Sequence, residues 1–141
     1  MVYSIPTENG NVGHARNTIR AEINLGLKKG YTGFAQEKGE VLAFLTDLYK
    51  QDGAAGKPFV PFIVTDSVIT YAYPTGDGWH GEHEPALVLT SDKSPLYAAN
   101  LSDEDWAVLV ESYAAKLGER FEQFRVYVTY TRVEVKILQK S

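Results

Sequence analysis

The sequence predicts a single α+β domain whose elements follow the order β-α-β-β-α-β. Three observations lead to this prediction: one segment with strict alternation of apolar and polar residues, two segments with apolar residues at helical spacing, and further segments rich in β-branched and aromatic residues. The length of 141 residues fits one domain with an adequate core. The chain contains no cysteine, which excludes disulfides, thiolate metal sites and cysteine nucleophiles.

Charge and hydropathy narrow the possible functions. The net charge of −4 disfavours a nucleic-acid binder, because such proteins neutralise phosphates with a broad basic surface. No apolar run approaches the roughly 18 residues that span a bilayer, and the N-terminus lacks the basic and apolar regions of a signal peptide. We therefore expect a cytoplasmic protein with neither a nucleic-acid nor a membrane partner.

The N-terminal residues differ from the rest of the chain. Residues 1–16 contain Pro6, Gly10 and Gly13, and they predict an extended or loosely ordered arm before a single domain at residues 17–141. Residues 18–28 predict the first strand, with one apolar and one polar face. The apolar face comprises Ile19, Ala21, Ile23, Leu25 and Leu27. Such a strand belongs to a sheet that is covered on one side, so a doubly wound parallel sheet is disfavoured.

The first helix is predicted at residues 36–51. Its apolar residues recur at helical spacing and form one stripe, and Asp52-Gly53 ends it. The stripe gives this helix a single face to bury against the sheet.

Two strands are predicted in the middle of the chain. Residues 68–73 form the second strand, and Pro61 keeps the residues before it out of a central strand position. Residues 86–90 form the third strand. Residues 74–85 would then be a long hairpin connection, with turn-forming residues at its start.

A second helix and a last strand complete the predicted fold. Ser102 is a good N-cap with Asp105 in the partner position of a capping box, and the apolar stripe continues to about Gln123. The last strand is predicted at residues 125–138, where the apolar alternation changes phase. The two apolar sets are Val126, Val128 and Tyr130, then Val133, Val135 and Ile137. This change predicts a bulge near Thr131 or, alternatively, packing of the distal half on a partner subunit.

This order of elements is the ferredoxin-like plan, with both helices on one face of an antiparallel sheet. The other face stays open unless something covers it. The first strand would place Arg20, Glu22 and Asn24 on that open face. We expect a ligand or a dimer partner there.

Several short motifs recur in a family of similar proteins. They are Asn24-Leu25-Gly26-Leu27, Gly78-Trp79-His80-Gly81, Glu84-Pro85 and Glu119-Arg120-Phe121-Glu122-Gln123. In these motifs the chain resembles a family of small bacterial ferredoxin-like proteins of unknown function. The resemblance implies the same fold and carries no activity with it. The chain departs from the family pattern at His80, beside the turn tryptophan, and at His83.

The densest cluster of reactive side chains lies at residues 77–84. It contains His80 and His83, whose imidazoles, with nearby carboxylates, are ligand types suited to a divalent metal. His14 would complete such a site only if the arm folds back. As a general acid/base pair, His80 or His83 would act with Glu22. A hydrated hairpin tip with Trp79 folded onto the domain edge is the simpler interpretation, so we predict neither a metal nor another cofactor.

Aromatic side chains offer a second kind of site. Tyr71, Tyr73, Tyr127 and Tyr130 lie on strands predicted to share one sheet, although Tyr127 and Tyr130 face opposite ways without a bulge. An aromatic platform on the open face would stack a flat ligand or form a protein interface, while ordinary sheet packing explains the same residues. The predicted ligand-binding residues are Arg20, Glu22, Asn24, Tyr71, Tyr73 and Trp79.

Two functions follow from these patterns. The leading prediction is a non-catalytic binding or assembly domain, homo-oligomeric, with a small molecule or a protein on its open sheet face; a phage or accessory protein would have this form. It is favoured because the sequence contains no GxSxG elbow and no phosphate-binding loop. The alternative is a small enzyme of the dimeric α+β-barrel or tautomerase-like kind that uses His80, His83 and Glu22.

Overall fold

The computed structural model describes residues 16–30, 33–95, 97–98 and 100–140, and short strand pairs within residues 3–12. Its main elements are β1 (Arg16–Gly26), α1 (Lys38–Ala54), β2 (Ile63–Thr75), β3 (Gly78–Asp92), α2 (Asp103–Arg120) and β4 (Tyr127–Val135). The four strands form one antiparallel sheet in the order β2-β3-β1-β4. The predicted ferredoxin-like fold is therefore confirmed. Most of the predicted N-terminal arm lies outside the described residues.

One face of the sheet carries the core. The apolar side chains of β1 lie opposite those of β3, with Ile23 beside Leu89 and Leu25 beside Leu87. All four are at most 1% exposed. The two helices cover this face with buried residues that are again spaced three or four apart, as predicted for amphipathic helices. These residues are Val41, Leu45, Val110, Tyr113 and Leu117.

The β2–β3 connection is much shorter than the sequence predicts. The strands pair without interruption as far as Thr75 and Gly78, so the predicted connection at residues 74–85 is wrong and Gly76-Asp77 make the turn. Gly78 has a φ of 129°, a backbone conformation that glycine adopts at little cost. Pro74 is accommodated because β2 is an edge strand, and Pro61 precedes the first strand residue.

The predicted bulge near Thr131 is also wrong. β1 and β4 pair residue by residue from Arg16 with Val135 to Asn24 with Tyr127. The two apolar sets instead lie on opposite faces of a regular strand, and Val133 and Val135 are half-buried. Val128 packs against the core, whereas Val133 lies on the other face, opposite Thr18.

No helix in the part of the chain that the structure describes is long and apolar enough to cross a membrane.

The start of α2 is fixed by polar contacts. Ser102 Oγ accepts a hydrogen bond from the Asp105 amide at 3.0 Å, as predicted for an N-cap. The Asp103 carboxylate accepts hydrogen bonds from Lys93 at 3.0 Å and Arg132 at 2.8 Å, and these contacts join α2 to β4 and to the segment after β3.

Asp103 should make stability depend on pH. Hydrogen bonds from Lys93 and Arg132 lower its pKa, so its stabilising contribution is complete above the unfolded-state pKa of about 4 and is lost as the pH falls through the folded-state pKa. Asp103→Asn should lower the urea midpoint at pH 7 and reduce the loss of stability between pH 5 and pH 2. Asp77→Asn, in the exposed hairpin turn, is the control. Equal midpoints for Asp103→Asn and the wild type at pH 7 would contradict this role.

Candidate functional site

The β2–β3 hairpin extends beyond the rest of the sheet. β1 ends at Gly26, opposite Ala86, and the backbone N–H of Leu27 still donates to the carbonyl of Pro85 at 3.0 Å, so residues 78–84 of β3 pair only with β2. We call the paired residues 68–85 the hairpin arm. On the open face of the sheet, alternate positions of the arm carry polar and aromatic side chains. These are Tyr71, Tyr73, His80, Glu82 and Glu84.

Glu82 is the charged centre of the arm. Lys28, from the segment after β1, places its Nζ 3.1 Å from Glu82 Oε1, and both side chains are less than one-third exposed. The hydrogen bond from Lys28 lowers the pKa of Glu82 and raises that of Lys28. The hydroxyl of Tyr73 donates to Glu82 Oε2 at 3.4 Å, and His80 Nε2 lies 4.0 Å from the same oxygen. Glu82 is therefore ionised at neutral pH.

Aromatic rings adjoin this carboxylate. The rings of Tyr71 and Tyr73 are stacked, with centroids 6.3 Å apart and planes at 29°. The imidazole of His80 lies against Tyr73 at a centroid distance of 5.2 Å. Partial burial and the nearby Glu82 raise the pKa of Tyr71, so its hydroxyl remains protonated. We call Tyr71 and Tyr73 the tyrosine pair.

A pocket of about 210 Å³ adjoins the arm where β1 ends and β4 begins. Its lining residues are Asn24, Gly26, Gly30, Ile69, Glu84, Gln123, Phe124, Arg125 and Tyr127. Gly26 leaves the space open: a Cβ there would lie 2.7 Å from Gln123 Oε1 and 3.5 Å from both Glu84 oxygens. We call this cavity the Glu84 pocket.

Gln123 holds one wall of the Glu84 pocket in place. Its Nε2 donates hydrogen bonds to the carbonyls of Lys28 at 2.8 Å and Phe121 at 3.0 Å. The segment after α2 is thereby joined to the segment after β1. Both side-chain N–H groups are used, so Oε1 remains as an acceptor beside Gly26.

A larger, shallower groove of about 530 Å³ lies nearby, between the segment after β1 and the end of α2. Its charged groups Lys29 and Glu122 pair with each other at 2.7 Å. The Glu84 pocket and the arm have the more reactive set of side chains, so we take them together as the candidate site.

The structure places the predicted acid/base residues apart from one another. His80 and His83 lie on opposite faces of the arm, because side chains alternate along β3. Glu22 lies opposite Thr90, ten residues beyond His80 on β3, which corresponds to roughly 30 Å along the strand. Among the described residues no group of three metal-ligating side chains comes together, and His14 lies outside them.

The predicted ligand-binding residues separate into two groups. Asn24 lines the Glu84 pocket, and Tyr71 and Tyr73 flank Glu82. Arg20 instead pairs with Asp92 at 2.7 Å, away from the arm. Trp79 is 75% exposed and lies on the face opposite Glu82. Tyr130 also faces the helices, where its hydroxyl donates a hydrogen bond to Glu111. Of the predicted aromatic platform, Tyr71, Tyr73 and Tyr127 lie on the open face.

Sequence reasoning missed the roles of Lys28, Glu82, Glu84, Gln123 and Arg125. It placed residues 77–84 in a turn, where side chains do not alternate between two faces as they do in a strand. Had the third strand been extended to Gly78, the alternation would have put His80, Glu82 and Glu84 on one face. No pattern in the sequence indicates the contacts of Gln123, because they join segments far apart in the chain.

Comparison with known proteins gives a fold relationship. No family model and no curated protein matches the chain. The solved structure of a phage SAM lyase in complex with S-methyl-5'-thioadenosine matches with a TM-score of 0.57 and 16% identity, covering 85% of this chain and 90% of the lyase. The same kind of enzyme in its apo state matches with a TM-score of 0.53 and 17% identity, covering 86% and 90%. At such identities the shared property is the fold.

These comparisons overturn the leading functional prediction. A non-catalytic binding or assembly domain was expected, and that expectation is wrong, because the structural neighbours are enzymes. The expectation arose because the sequence lacks the motifs of common nucleophilic and phosphate chemistry. The absence of those motifs does not exclude an enzyme whose site consists of carboxylates and tyrosines. The alternative, a small enzyme, fits the comparisons better.

The contact between Gly26 and Gln123 can be tested by a double-mutant cycle. Gly26→Ala should lower the free energy of unfolding by about 1–2 kcal/mol, because the new methyl group displaces the Gln123 amide from its two hydrogen bonds. In the Gln123→Ala background the same change should cost less, since the clash is gone. Gly39→Ala, in α1 with no atom within 4 Å of the new Cβ, should be neutral or stabilising. Urea unfolding measures all four differences, and equal costs in both backgrounds would contradict the proposed contact.

Proposed function

We propose that this protein is a small enzyme that binds a sulfonium nucleoside of the S-adenosylmethionine type and cleaves one of its carbon–sulfur bonds. The observation that carries the proposal is the fold match, over most of both chains, to a phage SAM lyase bound to S-methyl-5'-thioadenosine. The chemistry of the candidate site supports it independently of the fold. The site contains an ionised carboxylate, two stacked tyrosines and a pocket with a second carboxylate.

A sulfonium ion places specific demands on its binding site. It carries a positive charge but has no hydrogen to donate, so carboxylates and aromatic faces are the groups that attract it. Glu82 and the tyrosine pair provide both on one surface. The adenine ring is flat and stacks on aromatic side chains. The tyrosine pair would therefore hold the nucleoside part of the substrate, with Glu82 near the sulfur.

A sulfonium centre favours cleavage of a carbon–sulfur bond, because the neutral thioether is a good leaving group. The bonding electrons go to sulfur, which leaves as a neutral thioether. The carbon that loses sulfur must gain a new bond in the same step: a base removes a proton from the neighbouring carbon, and the electrons of that C–H bond form a carbon–carbon double bond. The site then has to orient the substrate and keep water away from the carbon that loses sulfur. Of the acid/base candidates from the sequence, His80 is the one that lies beside Glu82, and its imidazole is the base that we place next to the substrate to accept this proton.

Activity is tested by incubating the purified protein with S-adenosylmethionine and measuring S-methyl-5'-thioadenosine by liquid chromatography. The wild type should release it in multiple turnovers, and Glu82→Gln should lower kcat/KM by about tenfold or more, since one charge is removed near the sulfonium. Glu40→Gln, in the exposed first turn of α1, is the matched control. Release no faster than with heat-denatured protein would rule out the proposed reaction. Melting temperatures of both variants separate lost activity from lost folding.

We also propose that the chain self-associates through its open sheet face, as the sequence predicts, and that it acts in the cytoplasm. Large apolar side chains on this face support self-association, since Ile63 is 71% and Tyr127 61% exposed. Size-exclusion chromatography with light scattering should give a mass above 15.7 kDa at high micromolar concentration. Ile63→Asp should shift it toward the monomer, whereas Val108→Asp, on α2, should not. A monomeric wild type would contradict self-association.

A further inference from the structure

The Glu84 pocket is too small for a whole sulfonium nucleoside. Its volume of about 210 Å³ lies below the roughly 300–1,000 Å³ that is typical of sites for drug-sized ligands. Ile69 and Glu84 line the pocket and also belong to the arm, so the pocket lies next to the part of the arm that carries the tyrosine pair. Ile69 and Tyr71 are successive residues on one face, about 6–7 Å apart. The pocket is thus placed to receive one end of a ligand whose other end lies on the tyrosine pair.

One wall of the pocket accepts hydrogen bonds. Within the described part of the chain, Glu84 has no cationic side chain at ion-pair distance, and it receives only the backbone N–H of Lys28 at 3.3 Å. Gln123 Oε1 lies on the same side, across Gly26, and its amide group faces the wrong way to donate into the pocket. An ammonium group, with three donors and a positive charge, is the complement of this wall.

The lining of the pocket also includes a positively charged residue. Arg125 lines the pocket, and in the ranges given above no carboxylate or carbonyl pairs with its guanidinium. The other arginines with described side chains are engaged: Arg20 pairs with Asp92, Arg132 with Asp103, and Arg120 lies over the ring of Phe121. A guanidinium at a pocket wall is suited to bind a carboxylate through two parallel hydrogen bonds.

We propose that the Glu84 pocket is a subsite for an α-amino acid zwitterion, in which Glu84 and Gln123 Oε1 bind the ammonium group and Arg125 binds the carboxylate. The proposal deepens the proposed function, on which it rests for the nucleoside end of the ligand. In that setting the pocket holds the amino-acid end of the sulfonium compound and directs its side chain toward the tyrosine pair. Arg125 is then a specificity-determining residue. It favours substrates that retain the carboxylate over their decarboxylated counterparts.

The subsite can be tested without the nucleoside. L-2-Aminobutyrate is titrated into isotope-labelled protein up to about 50 mM, a range that detects weak binding. Saturable shifts are expected at the amides of Gly26, Asn24 and Tyr127, and Arg125→Ala should weaken binding at least tenfold. Arg120→Ala, a nearby arginine outside the pocket, should leave the affinity unchanged, and propylamine, which keeps the ammonium group but has no carboxylate for Arg125, should bind about tenfold or more weakly than aminobutyrate. The subsite is overturned if the wild type shows no saturable shifts, or if Arg125→Ala binds as the wild type does.

A second titration separates this inference from the proposed function. S-Methyl-5'-thioadenosine lacks the amino-acid end, so Arg125→Ala should bind it as tightly as the wild type, while Tyr71→Ala should bind it less tightly. Binding of aminobutyrate without binding of S-methyl-5'-thioadenosine would support the subsite and count against the proposed function. Binding of the nucleoside with no binding of aminobutyrate would do the reverse. A tenfold weaker binding of S-methyl-5'-thioadenosine to Arg125→Ala would place Arg125 in the nucleoside site and overturn its assigned role.

Discussion

The rest of the structure depends on the pairing of β1 with strands on both of its sides. β3 and β4 flank it, so its backbone hydrogen bonds are satisfied, and its side chains alternate between the two faces of the sheet. The side chains on one face are apolar and almost fully buried, with Ala21, Ile23 and Leu25 at 0% exposure. The two helices must cover this face. The opposite face, with Glu22 and Asn24, is left for other interactions.

The position at which β1 ends creates the candidate site. Because β1 stops at Gly26 while β3 continues as part of the hairpin arm, the segment after β1 lies beside the arm. Lys28 then meets Glu82, and its backbone meets Glu84 and Gln123. Three distant parts of the chain are joined at this point. The site is accordingly held by side-chain contacts between distant segments rather than by a local motif.

The sequence predicts those features that are set by local periodicity. The order of elements, the two faces of β1 and the N-cap at Ser102 all follow from spacing or from short-range hydrogen bonds. The sequence does not predict the length of the hairpin arm, because Pro74, Gly78 and Gly81 are typical of turns, and only the pairing of β2 with β3 keeps them in strands. The contacts of Lys28 and Gln123 were missed for the same reason. They depend on how distant segments meet, which no window of the sequence contains.

The central claim is that the open face beside the end of β1 is a ligand site, and a crystal structure with S-methyl-5'-thioadenosine tests it most directly. The account predicts the adenine ring against Tyr71 and Tyr73, with the sulfur near Glu82 and directed toward the Glu84 pocket. A nucleoside bound instead in the groove beside Lys29 and Glu122, or on the helical face of the sheet, would contradict it.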